Sequence, residues 1–259
     1  MEYVFNVPYK NNIKLKNIIE KIKENKKLLT YWKCSNVMAI DRMSYTDHGP
    51  THVKIVANLA LKFLRMLINQ NIKPSIVINY GLKNEDAEVV VVLGSIFHDI
   101  GMIVNRENHE KYSACLALEF IDNLLNTIYS EEEKAIISSE VLHAIVAHEK
   151  PNKSLTVEAG IIGIADALDM EAGRARIPFK SGKVDIHSIS ALSIDRVQII
   201  EGIKKPIKIK ILMSDAAGIF QIDELLKPRI EKSGLKKYFH VIAEVNCSNN
   251  KKIIDKFEI

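Results

Sequence analysis

His98 and Asp99 stand side by side in Ser95-Ile96-Phe97-His98-Asp99-Ile100-Gly101, where an apolar run stops at a glycine. An imidazole and a carboxylate at the end of a buried segment form a metal-binding pair in an expensive place, because an ionised carboxylate needs a partner once water is excluded. Two more residues share that situation. His52 follows the turn signal Gly49-Pro50 at the start of an apolar-periodic stretch, and Asp166 lies inside Ile161-Ile162-Gly163-Ile164-Ala165-Asp166-Ala167-Leu168. A helical bundle can bring such side chains into one centre whatever their separation along the chain. Imidazole and carboxylate donors suit iron, manganese, zinc, cobalt or nickel. A cation held by them polarises a phosphoryl oxygen and makes water a usable nucleophile near neutral pH.

The elements that must position these residues are read from apolar spacing. Residues 13 to 29 carry Ile13, Leu15, Ile18, Ile19, Ile22, Leu28 and Leu29 among lysines, which predicts one amphipathic helix, followed by a short helical or irregular piece to Met43. Pro is tolerated in a first helical turn, so Gly49-Pro50 opens a helix from about Thr51 to Asn69 and places His52 near its N-terminus. Residues 70 to 84, with Pro74 and Gly81, read as a connection. A central helix spans Glu85 to Asp99. Its Val89-to-Leu93 run could suit a strand, but the acidic start and the continuity to His98 favour helix. Further helices are predicted over 109 to 128, 131 to 148 (ended by Pro151) and 156 to 170. Beyond a basic loop near 171 to 178, residues 191 to 200 and 206 to 213 alternate like a hairpin, 218 to 232 reads as a helix, and 239 to 245 and 253 to 259 read as strands.

The order His52, His98-Asp99, Asp166 resembles the HD-domain superfamily of metal-dependent phosphohydrolases over about residues 45 to 180. The resemblance implies that His52, His98, Asp99 and Asp166 hold the metal, with Asp99 the bridging and catalytic carboxylate where two ions are present. It favours Fe2+ or Mn2+, with Zn2+, Co2+ and Ni2+ admitted, as one or two ions. His109 and His148 match the positions that supply a second ion; each is either such a ligand or a pocket histidine touching phosphate. His143 precedes His148 by five residues, about 140° around a helix, so both cannot easily serve one centre, and His148, which matches the family position, is taken as the ligand. His48 reads as a loop histidine near the mouth. Binuclear cyclic-dinucleotide phosphodiesterases of this superfamily carry a lysine where this chain has Met102 and paired histidines where it has His148-Glu149, which disfavours that substrate. The chain with its strand-rich tail resembles archaeal members.

The fold class implied is mainly α: an N-terminal helical segment (1–44), an HD-type helical bundle (45–180) and a smaller C-terminal α+β domain (181–259). Phosphate-binding cations are sought in Arg174 and Arg176, which follow the Asp166 helix, and in Lys150, with Arg106 and Lys54 weaker candidates. Asp169 either orients an arginine or a ligand histidine, or makes a helix-face ion pair. The expected activity is hydrolysis of a small phosphate ester, cyclic esters included. A nucleotidase or nucleoside-triphosphate hydrolase, and a non-catalytic nucleotide- or RNA-sensing module, are the alternatives.

Composition narrows the classes. The chain has 259 residues, 47% hydrophobic, enough for one large core, and its 36 basic against 32 acidic residues give only +4. That charge is too mild to argue for nucleic acid as a partner. Three widely spaced cysteines, an N-terminus without a signal-peptide core and no run of ~18 apolar residues point to the cytoplasm and away from a membrane. The tail leaves open a homo-oligomer interface, a cover for the pocket or an effector site.

Overall fold

The hydrophobic positions of two long segments set the centre of the molecule. In the computed structural model, which describes residues 5–173, 186–245 and 256–258, helix α5 (Asn84–Phe97) is buried along nearly its whole length from Asp86 to Phe97. Helix α3 (Pro50–Asn69) buries one face, through Val53, Val56, Ala57, Ala60, Leu61 and Leu64, and packs along it. Around this pair stand α1 (Ile13–Glu24), α2 (Lys26–Asn36), α6 (His109–Leu125), α7 (Glu131–Ala147) and α8 (Val157–Ala167). The valine run of α5 is helical because every side of that helix meets apolar neighbours, which outweighs the β-preference of valine.

Two predicted stretches differ in detail. The single helix expected over 13 to 29 is broken at Asn25, which ends α1 and starts α2, its side chain accepting from the Leu28 N–H at 3.0 Å. The connection at 70 to 84 contains a short helix, α4 (Ser75–Tyr80), ended by Gly81 in the left-handed region at φ 69°. Elsewhere Pro50 is in the first turn of α3, as expected, and side chains cap two further helices: a reciprocal Ser130–Glu133 box on α7 and Thr156 on α8.

Two glycines set how closely the site-bearing elements approach. A Cβ on Gly94 of α5 would lie 2.5 Å from Ile162 Cδ1 of α8. A Cβ on Gly101, in the 3-10 turn Ile100–Ile103, would lie 2.1 Å from the His109 carbonyl oxygen and 2.5 Å from the Ser113 nitrogen. Gly101 is therefore needed for space, and its N–H donates to Ser113 Oγ at 2.8 Å, seating the start of α6 against the turn.

The C-terminal region contributes α9 (Ile186–Leu192) and a four-stranded sheet in the order β1 (Ile194–Glu201), β2 (Ile207–Met213), β3 (Phe239–Val245), β4 (Lys256–Glu258). Strands β1 and β2 pair antiparallel, β2 and β3 parallel, β3 and β4 antiparallel. A parallel pair needs a crossover. Here it is the helical run from Ala216, which passes through a π-helical stretch at Ile222–Leu226 into α10 (Lys227–Lys232). The inward residues Ile207, Ile209, Ile211, Phe239 and Val241 belong to the same apolar cluster as the helices, with Phe239 edge-on to Phe63 of α3 at 5.2 Å. No helix among the described residues is long and apolar enough to cross a membrane.

Two buried carboxylates lie in this core away from the histidines. Glu158 of α8 accepts the N–H groups of Ser75 and Ile76 at 3.1 Å each. Glu140 of α7 has one oxygen, Oε2, with no hydrogen-bond partner among the described residues. Burial first, then the negative charge of Glu158, raises the Glu140 carboxyl above its ordinary range, against a hydrogen bond from Tyr80. A carboxyl raised in the fold contributes stability that is fully present below its unfolded pKa and lost as pH rises through the folded one. Glu140→Gln stays neutral throughout. Its gain in Tm over the parent protein is therefore expected to be larger at pH 8 than at pH 5, and equal shifts at both pH values would show that Glu140 is not held protonated.

Candidate metal centre

Each polar group of the centre reaches it from a different helix end. His52 is in the first turn of α3, His98 closes α5, His109 opens α6, His148 follows the last residue of α7, and Asp166 is in the last turn of α8. Asp99 leaves the helix at φ −105° and ψ 2°, which swings its carboxylate into the middle of the group. His52, His98, Asp99, His109 and His148 are all buried, and Asp166 is 16% exposed at its side chain.

The carboxylate of Asp99 has a different set of neighbours at each oxygen. Oδ2 lies 3.3 Å from His52 Nε2 and 3.2 Å from His98 Nε2, and Asp166 Oδ1 lies 3.3 Å and 3.7 Å from the same two nitrogens. Oδ1 lies 3.2 Å from His109 Nε2 and 3.7 Å from His148 Nε2. Donor atoms of His52, His98 and Asp166 lie within 4.8 Å of one another, as do those of His98, Asp99 and His148, and those of His109, His148 and Glu149. The structure thus gathers all six ligand candidates expected from the sequence into two adjoining clusters that share Asp99.

The hydrogen bonds on the outer side of the rings fix what the inner side can do. His52 Nδ1 donates to Asp169 Oδ2 at 2.6 Å, His98 Nδ1 to the Ser95 carbonyl at 2.7 Å, and His148 Nδ1 to the Ile145 carbonyl. His109 Nδ1 lies 3.0 Å from the Arg106 carbonyl and 2.9 Å from the Arg106 guanidinium. Its proton belongs on Nδ1, donating to the carbonyl, if Nε2 is to serve as a ligand. Carbonyls and carboxylates only accept, so these partners leave the Nε2 atoms bare in the neutral rings. Yet His52 Nε2 and His98 Nε2 are 3.1 Å apart, and His109 Nε2 and His148 Nε2 are 3.2 Å apart. Lone pairs aimed at one another beside carboxylate oxygens require positive charge between them. Nitrogen and oxygen donors with backbone- or carboxylate-anchored rings fit a divalent transition ion.

The titration behaviour shows the same demand for positive charge at the carboxylates. Burial alone would lower His98, but Asp99 and Asp166 outweigh it and raise the ring to about 9. Burial alone would raise both acids, but His98 with His109 and His148 holds Asp99, and His52 with His98 holds Asp166, well below the usual carboxylate range. His148 is pushed down, by burial first and by His98 and His109 next, so it favours the neutral ring that a metal needs.

The other sequence candidates are less central. His48 is in the loop before α3, its ring centre 5.7 Å from that of His52. His143 points elsewhere and accepts from the Leu155 N–H at 3.0 Å. Lys150 is exposed and donates to the Glu224 carbonyl at 3.3 Å. Arg174 and Arg176 lie outside the described residues. Two residues that the sequence does not single out are close. Glu149 stands beside His109 and His148, and its only sequence signal is its place directly after His148. Arg229 of α10 lies 3.3 Å from Glu149 Oε2 and 3.7 Å from Asp166 Oδ2.

Comparison with known proteins agrees with this geometry. Residues 50–171 match the family described as HD domain. An uncharacterised protein of the archaeon Methanocaldococcus jannaschii is 47% identical over 230 residues, covering 89% of each chain. No solved structure matches the chain.

Removing the Asp169 charge behind His52 tests the anchoring. Asp169→Asn is expected to weaken Mn2+ binding roughly 10- to 100-fold in a calorimetric titration. His148→Ala is expected to lower the number of Mn2+ ions bound per chain. Unchanged affinity in the first variant, or unchanged stoichiometry in the second, would remove the role assigned here.

Proposed function

Because the chain belongs to the HD-domain superfamily, whose members are generally metal-dependent hydrolases, and carries a His/Asp cluster able to hold a divalent metal, we propose that it is a phosphodiesterase cleaving a small phosphate ester. Cyclic esters are the favoured substrates, and dihydroneopterin 2′,3′-cyclic phosphate is one of them. The observation that supports this most directly is the placement of Asp99, with one oxygen facing each of two donor clusters. Such a carboxylate suits two adjacent cations, and paired cations suit displacement at phosphorus, where attacking and leaving oxygens both carry developing charge.

The roles follow from the contacts. His52, His98, Asp166 Oδ1 and Asp99 Oδ2 would hold one ion; Asp99 Oδ1, His109 and His148 would hold the second. A bound ion supplies Lewis-acid polarisation of the phosphoryl group and lowers the pKa of water. Asp169, Ser95 and Ile145 keep the protons on the outer nitrogens of His52, His98 and His148, so these three rings face inward in the form that binds a metal, and His109 joins them when its Nδ1 proton donates to the Arg106 carbonyl. Burial of the rings excludes bulk water, which strengthens each electrostatic contact with the substrate. Met102 is fully buried, so that position offers no cation to a cyclic dinucleotide.

The test uses protein purified without oxygen, analysed for metal, then assayed with Fe2+, Mn2+, Co2+, Zn2+ and Ni2+ against cyclic phosphates and nucleotides. Turnover of cyclic esters, lost by roughly a hundredfold or more in Asp99→Asn, is the expected result. Activity confined to nucleoside mono- or triphosphates would overturn the cyclic-ester reading in favour of a nucleotidase. Nucleotide binding without turnover under any metal would favour a sensing module.

A further inference from the structure

We propose that Arg229 and Arg106 are the cations that hold the substrate's phosphoryl group, so that the C-terminal segment carrying Arg229 completes the site. This rests on the phosphohydrolase reading above. The two guanidinium groups approach one atom from distant parts of the chain: Glu149 Oε2 is 3.3 Å from Arg229 Nη2 and 4.0 Å from Arg106 Nη2. Glu149 stands against the His109–His148 cluster, and Arg229 also reaches Asp166 Oδ2, whose other oxygen faces His52 and His98. An anionic group at the rim of the donor clusters is thus already bonded by Arg229 and faced by Arg106 at 4.0 Å. A phosphoryl group that reaches the metal centre arrives at the same rim and can be met by the same forks.

The placement of Arg229 is rigid. Ile230 beside it is buried, and the turn after α10 is pressed onto α8, where a Cβ on Gly160 would lie 2.6 Å from the Ser233 carbonyl oxygen. Its side chain is 15% exposed, while those of Glu149 and Arg106 are 24% and 39% exposed. The group is therefore accessible at a rim and not sealed in the core. Arginine suits this position better than lysine, since a planar fork can keep one N–H on the Asp166 carboxylate and offer others to phosphate oxygens.

A plain ion pair tying the tail to the helical body is the competing account, and the two predict different measurements. Inorganic phosphate is titrated calorimetrically into full-length Mn2+-loaded protein. Compared at equal Mn2+ occupancy, Arg229→Gln should weaken phosphate binding roughly 10- to 100-fold, and Arg106→Gln should weaken it less because that side chain is more exposed. On any ester the parent protein cleaves, Arg229→Gln should raise KM more than it lowers kcat. Arg229→Lys, which keeps the charge, should recover part of the loss. If Arg229→Gln fails to fold, Arg229→Lys and Arg106→Gln carry the test, both with weakened phosphate binding expected. A lowered Tm with unchanged phosphate affinity in these variants would overturn the proposal, as would absence of phosphate binding in the parent protein. Arginine-dependent phosphate binding in a protein that cleaves no ester would uphold it while sinking the catalytic reading. Ester cleavage indifferent to both arginines would do the reverse.

Discussion

The structure depends on how the charge of one buried carboxylate is balanced. Asp99 sits with four imidazole nitrogens around its two oxygens, and Asp166 adds a second negative group on one side. An isolated carboxylate in such surroundings would be protonated or would destabilise the fold. Here the rings hold it ionised, and it in turn raises His98. The balance is one of positive charge drawn into a narrow space. Protons can supply part of it, but the outer hydrogen bonds commit three of the four rings to inward lone pairs through partners that can only accept, and a divalent ion answers that arrangement better than a proton does.

The packing of the helices follows from that requirement. Five helix ends must meet within a few ångströms, which fixes how near their axes can come. Gly94 lets α8 approach α5, so Asp166 reaches His98, and Gly101 lets α6 turn back sharply, so His109 reaches Asp99. Neither glycine is needed for an unusual backbone angle. Each is needed because any side chain there would separate two ligand-bearing elements. The complete burial of α5 serves the same end, since a helix held from every side cannot shift the His98–Asp99 pair at its terminus.

Much of this is legible along the chain because the chemistry and the apolar periodicity coincide. His98-Asp99 is conspicuous at the end of a valine-rich run, and Asp166 is conspicuous inside an isoleucine-rich one. Helical geometry also says that His143 and His148 cannot both serve one centre, and the structure has His148 at Asp99 and His143 at the Leu155 N–H. What the sequence hides is of two kinds. Local breaks such as Asn25 depend on a side-chain cap within an otherwise continuous amphipathic pattern. Arg229 depends on tertiary packing: in Lys227-Pro228-Arg229-Ile230-Glu231-Lys232 it looks like any solvated basic residue, and only the seating of α10 on α8 turns it toward Asp166. Asp169 lies between these cases, since a helix-face ion pair and a histidine anchor read identically until the partner's position is known.

The tail therefore cannot be treated as an appendage added to a finished site. Its inward strand residues join the apolar cluster of the helices, and Phe239 meets Phe63 on the helix that carries His52. The crossover that the parallel β2–β3 pair requires is the same run that delivers α10 to α8. Sheet topology and site chemistry are thus coupled: the pairing that buries β3 also sets where the crossover helix lies. A helix placed there presents Arg229 to the outer oxygen of Asp166 while the inner oxygen faces the histidines. An acid with histidines on one side and a guanidinium on the other is held in a single orientation, which is what a metal ligand at a helix terminus needs if its oxygen is to stay directed at the centre.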